Sequence, residues 1–201
     1  EGYVFEEQNK LFHRSTLKIP GEHNLQNFLL AVAAAREIGI DHSSIATSIS
    51  SFKSIPHRLE YLVTIDNLSF YNDSKATNFD SSITALRSIP YPIILLAGGI
   101  KKKGDYQPWI KQIKQSTKGI VLFGHSRKNL KEALLLSSYE GEIMVKENLE
   151  EATIASIDIA RKTNSKSILL SPAGASFDQY KNYEERGDHF KKLVQKYTSI
   201  K

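Results

Sequence analysis

Residues 93–97 of the chain, Ile-Ile-Leu-Leu-Ala, lead directly into Gly98-Gly99. Two later runs, Ile-Val-Leu-Phe at 120–123 and Ile-Leu-Leu at 168–170, are apolar without interruption in the same way. Continuous rather than alternating hydrophobicity is typical of strands in a parallel sheet that is covered on both faces. These runs therefore predict the central strands of a mostly parallel sheet.

Helical patterns alternate with these strands from residue 79 onward. The expected helices cover about residues 79–89, 105–117, 127–137, 148–162 and 182–197. Ahead of them, residues 61–65 and 68–71 predict a hairpin that turns through Asp66-Asn67. Strands that alternate with helices in this order favour an α/β fold. We predict a Rossmann-like, doubly wound, mostly parallel sheet with helices on both faces.

A break in the pattern at Ser-Ile-Pro-His-Arg, residues 54–58, predicts a domain boundary, because proline cannot continue a helix. We expect the Rossmann-like domain to occupy residues 54–201. Residues 1–53 contain two helical patterns, the second with Asp41 as its N-cap, and are expected to be the remnant of a preceding central domain. The chain does not begin with Met, so we expect it to be a piece of a longer product.

Composition excludes several classes of protein. Hydrophobic residues make up 40% and charged residues 24% of the 201, which disfavours disordered and coiled-coil chains. No cysteine is present, which excludes disulfides and thiolate metal sites. The net charge of +5 comes without an arginine-rich stripe, so we expect no nucleic-acid partner. A small anionic ligand would explain the positive charge equally well. No apolar run has membrane-spanning length, so we expect no membrane partner.

Three loops that follow predicted strands are unusually polar or rich in glycine. They are residues 72–78 (Asn-Asp-Ser-Lys-Ala-Thr-Asn), 98–105 (Gly-Gly-Ile-Lys-Lys-Lys-Gly-Asp) and 171–178 (Ser-Pro-Ala-Gly-Ala-Ser-Phe-Asp). The carboxyl ends of the strands border the ligand crevice in open α/β sheets, so we expect the three loops to converge. Thr77 and Asp80 have capping-box spacing, and the start of a helix there favours an anion.

Each of these loops also has an ordinary interpretation. The first is compatible with a simple turn, Thr77 and Ser176 with helix N-caps, and the lysines with a solvated surface. Paired glycines permit a close approach of backbone to ligand, and the third loop is expected to lead directly into a helix. The cluster Glu184 to Arg186 is interpreted either as a solvated helix start or as part of a site.

Known catalytic patterns are mostly missing. The sequence has no Gly-Lys dipeptide, so it contains no Walker A phosphate loop, and the glycines at 98–104 do not form G-x-G-x-x-G. Gly-His-Ser at 124–126 resembles half of a nucleophile elbow, but Lys128 stands where glycine is needed, which disfavours a serine hydrolase. The six histidines lack the spacing of metal ligands.

Taken together, five elements resemble the ATP-dependent Mur ligases. These elements are Gly-Glu-His-Asn at 21–24 with Asn27, Pro-His-Arg at 56–58, the loop 72–78, Gly98-Gly99 with Lys102, and the tail from Ser171 to Arg186. The first two resemble the family generally, whereas the loop 72–78 and the tail resemble the branch that adds D-glutamate. The resemblance covers nearly the whole chain but only the last part of the family's three-domain architecture.

The resemblance implies an activity and a set of binding residues. ATP would phosphorylate the carboxylate of UDP-N-acetylmuramoyl-L-alanine, and the amine of D-glutamate would attack the acyl phosphate, in a cytoplasmic, monomeric enzyme of peptidoglycan precursor synthesis. The D-glutamate-binding residues implied are Thr77, Lys102, Ser176, Phe177 and Tyr183. The nucleotide-binding residues implied are Asn24, Asn27, Arg58, Asp73 and Lys75.

The resemblance also implies what the chain lacks. The phosphate loop and the Mg²⁺ ligands of the family would lie upstream of residue 1, so we expect no catalytic or metal-binding residue here and no activity of the chain alone. Ile100-Lys101 replaces an Asp-Gly pair that is common in the family, which changes the charge and flexibility next to Lys102. The alternatives are a non-catalytic module that binds a nucleotide or amino acid, and a sibling Mur ligase or folylpolyglutamate synthase with another acceptor.

Overall fold

The computed structural model describes residues 2–6, 8–17, 19–52, 54–101 and 104–198. Internal contacts divide the chain into two compact units, residues 1–54 and 55–201. The division, between Ser54 and Ile55, lies within the proline-containing stretch at 54–58. That the first unit is the end of a central domain stays a prediction.

The first unit is small and has its own apolar cluster. Its elements are strands β1 (Tyr3–Glu6) and β2 (Asn9–His13), a 3₁₀ helix (Arg14–Thr16), and helices α1 (Glu22–Glu37) and α2 (His42–Ser51). The two strands pair antiparallel. Phe12, Val32 and Ile49 form the buried cluster of the unit. Asp41 is the N-cap of α2, as the sequence predicts, because its carboxylate accepts a hydrogen bond from the Ser44 amide.

The second unit is built on a six-stranded sheet. The strands of the unit are β3 (Glu60–Ile65), β4 (Leu68–Asn72), β5 (Ile93–Gly98), β6 (Ile100–Lys101), β7 (Thr117–Phe123), β8 (Glu142–Val145), β9 (Ser167–Leu170) and β10 (Gly174–Ala175). Strands β6 and β10 pair with each other in a separate two-stranded sheet. Its helices are α3 (Phe79–Ser88), α4 (Gln107–Ser116), α5 (Arg127–Leu136), α6 (Leu149–Thr163) and α7 (Tyr183–Thr198). The sheet order is β3-β4-β9-β5-β7-β8, and only the β3–β4 pair is antiparallel. The predicted fold class is confirmed.

Both faces of this sheet are covered, which explains the uninterrupted apolar runs. Ile93 and Leu95 of β5 belong to one apolar cluster with side chains of α3, α4 and α5. Ile94 and Leu96 belong to a second cluster with side chains of α6 and α7. Successive residues of a strand point to opposite faces, so a strand between two helix layers needs apolar residues at every position.

The order of the strands places a crevice at the carboxyl ends of β4, β9 and β5. Strand β9 lies between β4 and β5 in the sheet. The chain leaves β4 and β5 toward α3 and α4, which pack in one cluster, and leaves β9 toward α7, which packs in the other. Such a reversal of connections marks the position at which open α/β sheets bind their ligands.

Two local predictions need correction. The N-cap of α3 is Asn78 rather than Thr77, because the Asn78 side-chain oxygen accepts a hydrogen bond from the Ser81 amide at 2.9 Å. The third loop does not lead directly into a helix, because turns occupy the residues after Ser176 and α7 begins only at Tyr183. The side chain of Asn182 accepts from the Glu185 amide at 2.8 Å, which fixes that later start.

Candidate functional site

The loops after β4, β5 and β9 are hydrogen-bonded to one another. The Ser171 hydroxyl donates to Asp73 Oδ2 at 2.8 Å, and the Asp73 amide donates to the Leu170 carbonyl at 2.8 Å. The Gly98 amide donates to the Pro172 carbonyl at 2.9 Å. We call residues 72–78, 98–101 and 171–178 the rim. The structure therefore brings together the three loops that were expected to converge.

Asp73 is a buried carboxylate that joins three chain segments. Its Oδ1 accepts from the Leu59 amide at 3.0 Å, and its Oδ2 accepts from Ser171. Burial raises the pKa of Asp73 to about 7, against the opposing effects of those two hydrogen bonds and of the Arg58 charge. The sequence did not reveal this bridging role. The contact of Asp73 with a ribose stays a prediction.

Arg186 is a rim-organising residue that the sequence interpretation missed. Its guanidinium is fully buried and donates to the Ser74 hydroxyl at 2.9 Å, the Ser74 carbonyl at 2.7 Å and the Gly174 carbonyl at 3.1 Å. Burial lowers its pKa to about 10, and the negative charge of Asp178 opposes that shift. The solvated helix-start interpretation is therefore wrong for Arg186. The signal was available, because Arg186 lies one helical turn before the core residue Phe190.

His57 and Asn72 form a second buried pair behind the first loop. Asn72 Nδ2 lies 3.1 Å from His57 Nδ1 and donates to the Gly187 carbonyl at 3.2 Å. A Cβ on Gly187 would lie 2.2 Å from His57 Nδ1, so only glycine permits this packing. Burial, followed by the charge of Lys191, lowers the pKa of His57. The His57 carbonyl accepts from the Lys75 amide at 3.0 Å, so the pair supports the loop that carries Lys75.

The paired glycines of the second loop allow its backbone to pack closely against neighbouring backbone. A Cβ on Gly98 would lie 1.9 Å from the Phe123 carbonyl oxygen, and a Cβ on Gly99 would lie 2.2 Å from the Ala175 carbonyl oxygen. Both glycines also have positive φ values, 148° and 95°. The expected reason for these glycines, a close approach to a ligand, therefore gives way to close packing between strands.

The residues predicted for D-glutamate lie on two of the rim loops and at the start of α7. Ser176 is buried, and Phe177 beside it is 70% exposed. The Thr77 amide donates to the Lys75 carbonyl at 2.8 Å. The Tyr183 carbonyl accepts from the Ser74 hydroxyl at 2.8 Å, which ties α7 to the first loop. Lys102 lies outside the described residues.

The residues predicted for the nucleotide lie in both units. In the second unit, Arg58 is exposed and the Lys75 ammonium lies 5.3 Å from the centroid of the Tyr183 ring. In the first unit, Asn24 and Asn27 both lie on α1. Asn24 Nδ2 donates to the Pro20 carbonyl at 2.6 Å, and Asn27 is exposed. Asp73 and Lys75 thus share one loop, and their nucleotide contacts stay predictions.

Two other properties limit the chemistry of the described part of the chain. Among those residues, no group of three or more His, Asp or Glu side chains is placed to hold a metal ion. None of the described helices combines the length and apolarity that crossing a bilayer requires.

Sequence comparison identifies known ligases that are similar to the chain. No protein-family model matches the chain. The chain is 78% identical, over all 201 residues, to UDP-N-acetylmuramoylalanine–D-glutamate ligase of Prochlorococcus marinus (strain NATL2A) and spans 43% of that protein. The resemblance to the D-glutamate-adding Mur ligases is confirmed. The ligase of the same name from Crocosphaera subtropica is 46% identical over 179 residues, which are 89% of the chain and 39% of that ligase. The chain thus spans less than half the length of these Mur ligases.

Solved structures share the fold at low sequence identity. UDP-N-acetylmuramate-alanine ligase MurC from Thermotoga maritima has a TM-score of 0.65 and 20% identity, over 92% of this chain and 40% of MurC. Folylpolyglutamate synthase from Mycobacterium tuberculosis, solved with ADP and AMPPCP, has a TM-score of 0.66 and 14% identity, over 92% of this chain and 42% of the synthase. At these identities the likeness shows that the Mur ligase fold is shared, and nothing further.

Proposed function

We propose that the chain is the carboxyl-terminal part of a cytoplasmic, monomeric ligase that uses ATP to add D-glutamate to UDP-N-acetylmuramoyl-L-alanine. The observation that carries the proposal is the 78% identity, over every residue of the chain, to a protein with that name. In this assignment residues 54–201 form the domain that binds the incoming amino acid. Residues 1–53 form the end of the central ATPase domain and its linking helices.

The proposed reaction makes one amide bond at the expense of one phosphoanhydride bond. ATP transfers its terminal phosphoryl group to the carboxylate of the UDP-linked substrate, which gives an acyl phosphate and ADP. The amine of D-glutamate then attacks the acyl carbon, and the tetrahedral intermediate expels inorganic phosphate while the amine loses a proton. The contribution of this chain is to bind D-glutamate and to orient its amine for the attack.

An acidic amino acid fits the chemistry assigned to the rim. In the proposal the Lys102 ammonium pairs with a carboxylate of D-glutamate, and Thr77, Ser176 and backbone amides near Phe177 donate hydrogen bonds to it. Tyr183 lines the same pocket. The tie between Ser74 and the Tyr183 carbonyl supports a site whose parts are fixed before the ligand binds. A fixed site loses less conformational entropy on binding.

In this proposal, two residues of the first loop and three residues outside it bind the nucleotide. Arg58 and Lys75 are cations, which fit the charge of nucleotide phosphates, and Asp73 is assigned to a ribose hydroxyl. Asn24 and Asn27 are assigned to the adenine end. The described residues offer no cluster that fits Mg²⁺, so the ligands of that ion would come from residues upstream of this chain. We therefore assign no step of Mg²⁺ chemistry to these residues.

The full-length enzyme provides the test. Phosphate release is measured with ATP, UDP-N-acetylmuramoyl-L-alanine and one amino acid at a time, with D-glutamate, L-glutamate, L-lysine and meso-diaminopimelate compared. Of these four amino acids, we expect only D-glutamate to support phosphate release. Release with L-lysine or diaminopimelate would instead support a sibling ligase, and a need for a folate together with L-glutamate would support a folylpolyglutamate synthase.

The 201-residue chain is the matched control for that experiment. We expect it to release no phosphate, because its sequence has no Gly-Lys dipeptide and therefore no phosphate loop. If the full-length protein is also inactive while the chain binds D-glutamate, the binding-module alternative replaces the proposal.

A further inference from the structure

The turn that follows β10 has an unusual exposure pattern. The Ser176 carbonyl accepts from the Gln179 amide at 3.1 Å and from the Tyr180 amide at 2.9 Å, which closes a tight turn over residues 176–180. Ser176 is buried, whereas Phe177 at the tip is 70% exposed. Packing of Phe177 therefore does not hold the tip in place, although Tyr180 at the end of the turn packs against the apolar cluster of α6 and α7. The side chains between them, Asp178 and Gln179, make polar contacts instead.

Asp178 makes the first of these contacts. Its Oδ2 accepts from the His125 amide, in the loop after β7, at 2.8 Å. The facing residue is Gly124, where a Cβ would lie 2.3 Å from the same carboxylate oxygen. Gly124 has a φ of 69°, a conformation that glycine adopts without strain. The loop after β7 is thus shaped to present an amide to the Asp178 carboxylate.

Gln179 makes the second contact, on the next loop along the sheet. Its Nε2 donates to the Glu147 carbonyl, after β8, at 2.6 Å. Arg127 joins the two receiving loops, because its guanidinium pairs with the Glu147 carboxylate and donates to the Gly124 carbonyl at 2.8 Å. Asp178 and Gln179 of the turn are therefore hydrogen-bonded to two different loops, and Arg127 connects those two loops.

We infer that Asp178 and Gln179 are positioning residues for the acceptor amino acid, because they fix the turn that carries Ser176 and the backbone near Phe177. The inference rests on the proposed function. Without the two contacts the turn would have to become ordered when the ligand binds, and that entropy cost would weaken binding of the acceptor. The nucleotide is assigned to Asp73 and Lys75 of the 72–78 loop, whose contacts to the third loop and α7 go to Ser171 and Arg186 rather than to Asp178 or Gln179. Nucleotide binding should therefore change little.

Steady-state kinetics of the full-length enzyme tests the inference. For Asp178→Ala we expect the KM for D-glutamate to rise about tenfold, because a hydrogen bond to a charged group is lost and the turn becomes mobile. For Gln179→Ala, which loses a neutral hydrogen bond, we expect a rise of about threefold. The KM for ATP should stay within about twofold of wild type in both. Asp178→Asn, which keeps an oxygen acceptor for the His125 amide, should recover most of the loss.

Glu150→Gln is the matched control. The Glu150 carboxylate accepts from Lys196 at 2.8 Å and from Tyr197 at 2.6 Å, and so joins α6 to α7 through contacts that include no rim residue. This variant also loses a charged contact between two elements, so it reports the kinetic effect of a general loss of stability. We expect its KM for D-glutamate to match that of wild type.

Hydrogen–deuterium exchange of the full-length enzyme gives a second readout. In Asp178→Ala and Gln179→Ala, peptides covering residues 174–182 should exchange faster than in wild type, and saturating D-glutamate should slow them again. Unchanged exchange, or equal rises in KM for D-glutamate and ATP, would overturn the inference. A wild-type enzyme that does not use D-glutamate would overturn the proposed function instead, so the two failures are distinguishable.

Discussion

The two ends of the central sheet use different kinds of polar residue. At the carboxyl ends of the strands, the buried charged groups of Asp73 and Arg186 join residues far apart in sequence, Ser171 and Ser74. At the amino ends, the buried polar side chains are neutral hydroxyls, such as Ser167, which donates to the Pro90 carbonyl, whereas Asn164 is exposed and serves the turn in which it lies. The rim therefore depends on buried charged partners, whereas the amino ends use neutral hydroxyls and exposed turn residues.

This difference has an energetic consequence. A buried donor or acceptor that loses its partner costs about 1–3 kcal/mol, whereas most exposed substitutions change stability by less than about 0.5 kcal/mol. Substitutions of the buried charged residues of the rim should thus be costly, whereas substitutions of exposed residues at the other end of the sheet should be tolerated. Ranked from the largest expected effect to the smallest, four comparisons test this.

Arg186→Ala should be the most damaging single change. It leaves the Ser74 and Gly174 carbonyls buried without their donor and removes a large, fully buried side chain. We expect the free energy of unfolding of the second unit to fall by about 5 kcal/mol, measured by urea denaturation. Arg161→Ala, an exposed change on α6, is the control and should cost less than about 0.5 kcal/mol. Similar losses for the two variants would contradict the comparison.

Asp73 should make stability depend on pH. Its folded-state pKa is raised from 3.8 to about 7, so between these values the folded protein holds a proton that the unfolded chain has lost. The free energy of unfolding contributed by this group is therefore highest below pH 4 and falls as pH rises to 7, by about 4 kcal/mol in total. Asp73→Asn should remove that slope. If the free energy of unfolding has the same pH dependence in wild type and in Asp73→Asn, burial does not raise the pKa of this carboxyl group.

Gly98→Ala and Gly141→Ala compare one crowded glycine at each end of the sheet. The new methyl group at Gly98 would meet the Phe123 carbonyl at 1.9 Å, and backbone cannot move aside. At Gly141 the nearest atoms are the hydroxyl oxygen and ring carbons of the buried Tyr139 side chain, at 2.2–2.8 Å, and a side chain moves aside at lower cost than backbone does. We expect losses of about 3 kcal/mol and about 1 kcal/mol respectively. Thermal unfolding of both variants measures the difference, and a larger loss at Gly141 would reverse our account.

Asn164→Gly should have the smallest effect. Asn164 ends α6 with a φ of 49°, a left-handed conformation in which glycine is also favourable. We expect the free energy of unfolding to change by no more than about 0.5 kcal/mol. A loss of several kcal/mol in chemical denaturation would mean that this exposed turn residue is as important to stability as the buried charged residues of the rim.

Most of the architecture was predictable from the sequence because it follows from local periodicity. The apolar runs 93–97, 120–123 and 168–170 fall within β5, β7 and β9, and the five expected helices correspond to α3 through α7. The short strand β8 was not predicted. Its four residues are only half-buried, so no continuous apolar run marks them. The convergence of three loops followed from the general rule that ligands bind at the carboxyl ends of parallel strands.

The hydrogen bonds that connect the rim to distant residues were not predictable from local periodicity. The partners of Asp73 are 14 and 98 residues away in sequence, and Arg186 reaches 112 residues back to Ser74. No local pattern contains such pairings, and a charged residue in the first turn of a helix is usually solvated. The N-cap at Asn78 was missed by one residue because several neighbouring side chains are suitable caps.

The most direct test of the account is whether Lys102, which follows rim residues 98–101 in the sequence, binds the acceptor rather than the nucleotide. In the full-length enzyme we expect Lys102→Ala to raise the KM for D-glutamate by at least about tenfold while the KM for ATP stays within about twofold, since one charged hydrogen bond is lost. Lys111→Ala, an exposed change on α4, should change neither. Equal rises in both KM values, or no change in either, would contradict the claim that the rim holds an acidic amino acid.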